Sequence, residues 1–231
     1  MAGISAFDLP TRKAIEASLL SSFPTDKLEA LLADAFRIDI PAGGEPYRES
    51  DVPRAGIVIT GLVRVYMTSR QGRQVTVRYS RAGEMLGVPT VVGGPVPVNV
   101  QAVTDSSLLM LNSNTLVSLA KTDAAVAWAL AQETSERLYA VLEELAENVF
   151  SSVRQRTAHH LLDLAAERQQ DHLLFAPVTQ QQLADSAGTV REVISRALRQ
   201  LDADGLVKTT PEGILILDPA GLHAVASGTE E

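Results

Sequence analysis

Two copies of one helix-start signal, ten residues apart, constrain this 231-residue chain more than any other feature. Thr179 with Gln182, and Thr189 with Glu192, each fit the Ser/Thr-x-x-Glu/Gln capping pattern, in which a hydroxyl caps the third backbone N–H of a helix. Two helices should therefore begin in close succession, with Gly188 permitting the tight turn between them. Leu183, Ala184 and Ala187 on the first helix, with Val193, Ile194, Ala197, Leu198 and Leu201 on the second, supply a small buried contact. The second helix projects Val190, Arg191, Glu192, Ser195, Arg196 and Arg199, and these, with Thr179, Gln180 and Thr189 at the two helix starts, are the candidate DNA contacts. Arginine donates bidentately to guanine and glutamate accepts from cytosine, so this face suits a DNA major groove. Two blander readings stay open: Glu192 serves only as a cap, and the arginines form a solvated face. Against the second, residues 189–199 hold three arginines and one acid.

The rest of the chain falls into regimes with different periods. Residues 11–36 read helical, with Leu28, Leu31, Leu32 and Phe36 at three-to-four spacing after a Phe23-Pro24 break. From Ile38 to Leu111, short apolar stretches at 56–59, 62–66, 75–79 and 107–111 alternate with glycine turns, which predicts a small antiparallel sandwich or barrel. Asp123 to Phe150 reads as one long helix. Its stripe of Trp128, Ala131, Ser135, Leu138, Leu142, Leu145 and Val149 steps by three and four. That stripe either packs on the sandwich or forms a dimer seam. Helices over Arg156–Gln169, Thr179–Ala187 and Thr189–Asp204 follow, then a hairpin of 205–210 and 214–217, the order of a winged helix-turn-helix, before a frayed tail from Ser227.

Charge argues against nucleic acid as a global partner. The net charge is −8, and each side of Phe150 carries −4, so any DNA site must be a local patch. Cysteine is absent, which excludes an iron–sulfur cluster held by thiolates, cysteine zinc sites and a cysteine nucleophile, and fits a cytoplasmic location. No signal peptide is expected, and no stretch approaches the ~18–20 apolar residues of a membrane span, so no membrane partner is expected. An enzyme is not expected, because no nucleophile–base pair or phosphate-cradling loop is recognisable. His159, His160, His172 and His223 all lie beyond the β-rich region, so haem is not expected, and no metal site is assigned.

With these residues in view, the chain resembles the Crp/Fnr family of bacterial transcription regulators. The resemblance spans a jelly roll with Gly61, Gly72 and the Gly83-Glu84-Met85-Leu86-Gly87 turn, a long helix, and a joint read as Phe150-x-x-Val153-x-x-Arg156-x-Ala158-x-x-Leu161-Leu162. Arg191, Glu192 and Arg196 match the catabolite-activator reading set, and Glu192-x-x-Ser195-Arg196 matches the Fnr-type set. The resemblance implies an α+β chain: a cyclic-nucleotide-binding-like β jelly roll over 1–121, a dimerisation helix over 122–150, and a winged helix-turn-helix DNA-binding domain over 151–231. It also implies a homodimer on an inverted-repeat operator, with RNA polymerase as a further partner. The effector pocket would be lined by Met85, Leu86, Gly87, Val88, Val96, Pro97 and Val98. The family's ribose and phosphate anchors fall on Val88, Val96 and Pro97, and no Arg or Lys lies between Arg81 and Lys121, so cyclic AMP is not expected. An apolar effector or none at all remains, and so does a rival in which the winged helix contacts protein.

Overall fold

A computed structural model describes residues 4–72, 74–165, 169–170 and 173–229, with the side chains of 143–150 outside that set. It divides into two compact units, Met1–Thr68 with Val77–Ala140 and Ser69–Thr76 with Val141–Glu231.

The first unit opens with α1 (Leu9–Ala17), whose N-cap Asp8 accepts from the Thr11 N–H at 3.1 Å, and α2 (Thr25–Leu32). The helical reading through residue 36 is corrected here. Phe36 starts strand β1 (Phe36–Ile40) and pairs with Met110, and its three-to-four spacing from Leu32 is coincidental. The strands β2 (Ala55–Thr60), β3 (Val63–Thr68), β4 (Gln74–Ser80), β5 (Met85–Leu86), β6 (Asn99–Ala102) and β7 (Ser106–Leu111) complete two sheets, ordered β1-β7-β2-β5 and β4-β3-β6. Helix α3 (Val88–Gly93) interrupts them, and α4 (Ser113–Thr122) and α5 (Ala124–Phe150) follow.

The two sheets face each other across a core of Ile40, Val58, Val63, Val65, Val100, Leu108 and Met110. Alternate residues of the same strands, Ile57, Ile59, Leu109 and Leu111, point the other way, into a second core with Ile15, Leu31, Leu116, Val126, Ala129 and Leu130 from the helices. A strand buried on both faces has no polar side, which is why β7 reads as one apolar run. Gly87, at φ +77, ends β5; a Cβ there would lie 1.8 Å from the Arg54 carbonyl oxygen.

The second unit contains α6 (Val153–Ala165), β8 (Gln169–Gln170), β9 (Leu173–Ala176), α7 (Gln180–Ser186), α8 (Arg191–Ala203), β10 (Val207–Thr209), β11 (Ile214–Ile216) and α9 (Pro219–Ala226). The expected helix over Arg156–Gln169 is corrected at its end, where Gln169 pairs with Leu174 as a strand residue. The hairpin β10–β11 joins β9 and β8 in one sheet, ordered β10-β11-β9-β8. Beneath it Leu161, Leu183, Ile194, Leu198, Leu201 and Leu222 are fully buried.

Two glycines with similar backbone angles separate strain from collision. Gly72 has φ +79 but open space where a Cβ would go. Gly72→Ala should cost about 1 kcal/mol, whereas Gly87→Ala should cost more than about 2 kcal/mol. Denaturant melts of the two variants check this; equal losses would contradict the collision at Arg54.

Candidate nucleic-acid interface

Helix α7 begins as its sequence requires. The Thr179 hydroxyl accepts from the Gln182 N–H at 3.2 Å, and the Gln182 side chain accepts from the Thr179 N–H at 2.9 Å. Thr179 is therefore spent on its cap, and Gln180 follows it, half-buried. The second capping pattern does not form. The Thr189 N–H turns back to the Ala184 carbonyl at 2.9 Å, and Gly188, at φ +62, carries the reversal. Val190 then becomes the N-cap of α8 and makes no side-chain cap bond. Glu192 sits in the first turn instead, where a carboxylate favours the positive end of the helix dipole.

One side of α8 carries Ile194, Ala197, Leu198 and Leu201 into the core. The other presents Arg191, Glu192, Arg196 and Arg199 to solvent, with Ser195 half-buried between them. Arg199 bonds back to the Ser195 carbonyl at 3.3 Å. Arg191, Glu192 and Arg196 have no ion-pair partner among the described residues, so their hydrogen-bonding edges stay available. Positions 192, 196 and 199 recur every three to four residues, so a single helix face displays them.

Two groups on α6 hold this pair of helices. Arg156 donates to the Ala187 carbonyl at 3.2 Å, and its other arm donates to the carbonyl of Ser151. His160 is half-buried on α6, and desolvation pushes it down to about 4. Asp163 and a backbone hydrogen bond with Ser186 oppose that shift, while His159 and Arg156 add to it. His159 keeps to the outer side, 3.5 Å from Asp163. Neither role was legible in the sequence, where Arg156 appeared only as part of a joint pattern.

Comparison with known proteins agrees with this geometry. Residues 155–225 match the model of the Crp-like helix-turn-helix domain, and residues 37–123 that of the cyclic nucleotide-binding domain. The cyclic AMP receptor protein of Thermus thermophilus is 31% identical over 190 residues, covering 81% of this chain and 87% of that protein. The transcriptional regulator SdrP of the same organism is 27% identical over 176 residues, covering 75% and 84%. A solved Crp/Fnr-family transcriptional regulator from T. thermophilus superposes with a TM-score of 0.71 at 25% identity, covering 83% of this chain and 98% of that one. The chain belongs to the Crp/Fnr family. Its fold is accordingly that family's α+β pairing of a cyclic nucleotide-binding domain with a helix-turn-helix, and the members of the family are transcription regulators.

In the cyclic nucleotide-binding domain the expected pocket residues divide. Met85 and Val88 belong to the helix-side core and Leu86 to the core between the sheets, whereas Pro97 is exposed. Of the seven, only Met85 lines a cleft of about 480 Å³ beside α5, together with Ser18, Glu84, Gln132, Glu136 and Arg137. Two cations stand at this turn. Arg78 of β4 donates to the Met85 carbonyl at 2.8 Å and to Glu84 at 3.1 Å. Arg137 of α5 reaches the same carbonyl at 3.2 Å and pairs with Glu133 at 2.6 Å. Burial, reinforced by Arg137, lowers Arg78 to about 10. Neither arginine lies within the segment 81–121; they arrive from a different strand and a distant helix.

The stripe on α5 does not face this domain's core. Trp128, Leu138 and Leu142 are 67%, 58% and 49% exposed, and Ala131 and Ser135 are also exposed. Among the described side chains of α5, Val126, Ala129 and Leu130 are the ones in the core, so the described part of the stripe does not pack on the sandwich. Leu145 and Val149 lie outside the described side chains.

His160 gives this unit a pH dependence of known sign. Unfolding returns it to its ordinary value near 6.5, so the unfolded chain takes up the extra proton first. Stability is full above pH 6.5 and falls as pH drops from there towards 4. Between pH 7.5 and 5.5 the loss from this group should be about 1 kcal/mol. Denaturant melts at the two pH values should show this loss, and His160→Gln should remove it; an unchanged slope in the variant would assign the effect elsewhere.

Proposed function

We propose that the chain is a sequence-specific regulator that binds an inverted-repeat DNA operator as a homodimer and does not depend on cyclic AMP. The observation that carries the reading is the exposed set of Arg191, Glu192, Arg196 and Arg199 on α8, with Ser195 half-buried between them, in a helix-turn-helix of a family whose corresponding domain binds DNA. Those residues make a local positive patch on an acidic chain, which favours phosphate approach and base reading at one place only. Glu192 and Arg196 read one G·C pair from opposite strands, with Arg191 on a neighbouring guanine or phosphate. The half-sites share a TGA core and lie about 34 Å apart, one turn of duplex.

The apolar stripe from Trp128 to Leu142 supports the dimer, because so long a row of exposed large side chains is costly in water unless a partner covers it. Residues 1–121 then serve as the sensor domain, 122–150 as the dimerisation helix and 151–231 as the DNA-binding domain. Cyclic-AMP independence is supported by Val88, which is 2% exposed in the core at the ribose-anchor position, and by the two arginines already matched with Glu84 and Glu133. The protein acts in the cytoplasm with RNA polymerase as a second partner.

Selection of bound sequences from random duplex, with purified ligand-free protein, tests the reading directly. A palindromic operator bound without added nucleotide supports it; specific binding that appears only with cyclic AMP would overturn its effector-free part. Arg196→Ala should weaken the selected operator by roughly 1–3 kcal/mol and relax preference at one base pair. Equal loss on every sequence would make Arg196 a phosphate contact instead. Leu138→Asp with Leu142→Asp places like charges in the seam and should yield monomers in sedimentation. A wild type that is already monomeric at micromolar concentration would end the dimer reading.

A further inference from the structure

Val190 occupies a position where neither of the usual structural reasons for a valine applies. It is the N-cap of α8, with extended angles of φ −110 and ψ 154, yet its side chain has no oxygen to hold the free N–H groups of the first turn. Thr179, at the same position of α7, does hold one. Nor does Val190 fill the core. It is 49% exposed, while Ile194, one turn further on, is completely buried. An aliphatic group therefore stands in solvent at the head of the helix, directly before the exposed Arg191 and Glu192.

The residues at the start of the second helix are the ones a helix-turn-helix brings to base edges. The major groove offers one apolar feature, the C5-methyl group of thymine, and an exposed isopropyl group is its natural complement. We infer that Val190 reads the 5-methyl group of one thymine in each operator half-site. This rests on the proposal that α8 enters the major groove. It adds a contact made by neither charge nor hydrogen bonding, at the only large apolar side chain on the exposed head of the helix.

Deoxyuridine removes that methyl group and leaves base pairing intact. Each thymine of the selected operator is replaced by deoxyuridine in turn, and binding of the purified dimer is measured. At one position per half-site the wild type should weaken about three- to fivefold, the value of burying one methyl group, and about tenfold or more when both half-sites are changed. Val190→Ala and Val190→Ser should bind the thymine operator more weakly and lose all discrimination at that position. Val190→Ser also restores a capping hydroxyl, so its melting temperature should equal or exceed that of the wild type, which separates a lost contact from a lost fold. Specific binding with no uracil-sensitive position, or sensitivity that survives in Val190→Ala, overturns this inference alone. An absence of any sequence-specific duplex binding overturns both it and the proposal beneath it.

Discussion

The placement of α8 depends on one cation, the guanidinium of Arg156. The last carbonyls of a helix have no partner within it, and at the end of α7 the Ala187 carbonyl finds one in Arg156. The same side chain takes the Ser151 carbonyl, just past the end of α5. A single planar group thus fixes the start of the winged helix and the turn from which α8 departs, and its rigid fork suits two acceptors held at a set spacing. Helix α6, which carries it, also packs on α8 and α9. The aim of Arg191, Glu192 and Arg196 is therefore set by backbone carbonyls and an apolar core, and their own side chains are left unspent.

What could be read from the sequence follows from how local each determinant is. The α7–α8 pair was legible because its buried set and the Thr179–Gln182 cap are all defined within two turns of each residue. The Thr189–Glu192 pattern has identical spacing and failed, because Gly188 and the Thr189 N–H continue the turn by one residue and move the cap to Val190. Strands β2, β3, β4 and β7 were legible as short apolar runs set between turn residues. Strand β1 was mistaken for a helix end because Phe36 continues the spacing of Leu28 and Leu32, while its pairing partner Met110 lies 74 residues away. Strand β5 is two residues long, and α4 and α9 depend on the Asn112 and Asp218 caps; none has a period long enough to register.

Electrostatics shows the same division at larger scale. A window along the chain finds no cation between Arg81 and Lys121, and on that basis the sensor turn looked purely apolar. Folding brings Arg78 and Arg137 to the Met85 carbonyl, each with a carboxylate of its own. The second of these pairs lies within one helix, Glu133 and Arg137 being four residues apart, and so was visible as a spacing. Its meaning was not, since only the fold places that pair against residue 85. Likewise Arg64 is 2% exposed and lies 4.6 Å from the centre of the Tyr66 ring, a burial that alternation along β3 alone would not suggest for an arginine.

These contacts bear on the proposal that the chain acts without cyclic AMP. A ligand shifts an equilibrium only by the difference in its affinity for the two arrangements. In this chain the turn before α3 is tied to α5 through Arg137, Glu84 and the Met85 carbonyl. An anionic effector would have to compete with Glu84 and Glu133 for the same guanidinium groups, and would gain only the excess of its own contacts over theirs. Val88, sealed in the core, offers no polar group to add to that excess. The internal carboxylates thus already partner the cations that join this turn to α5, which is the contact that supports the effector-free reading proposed above.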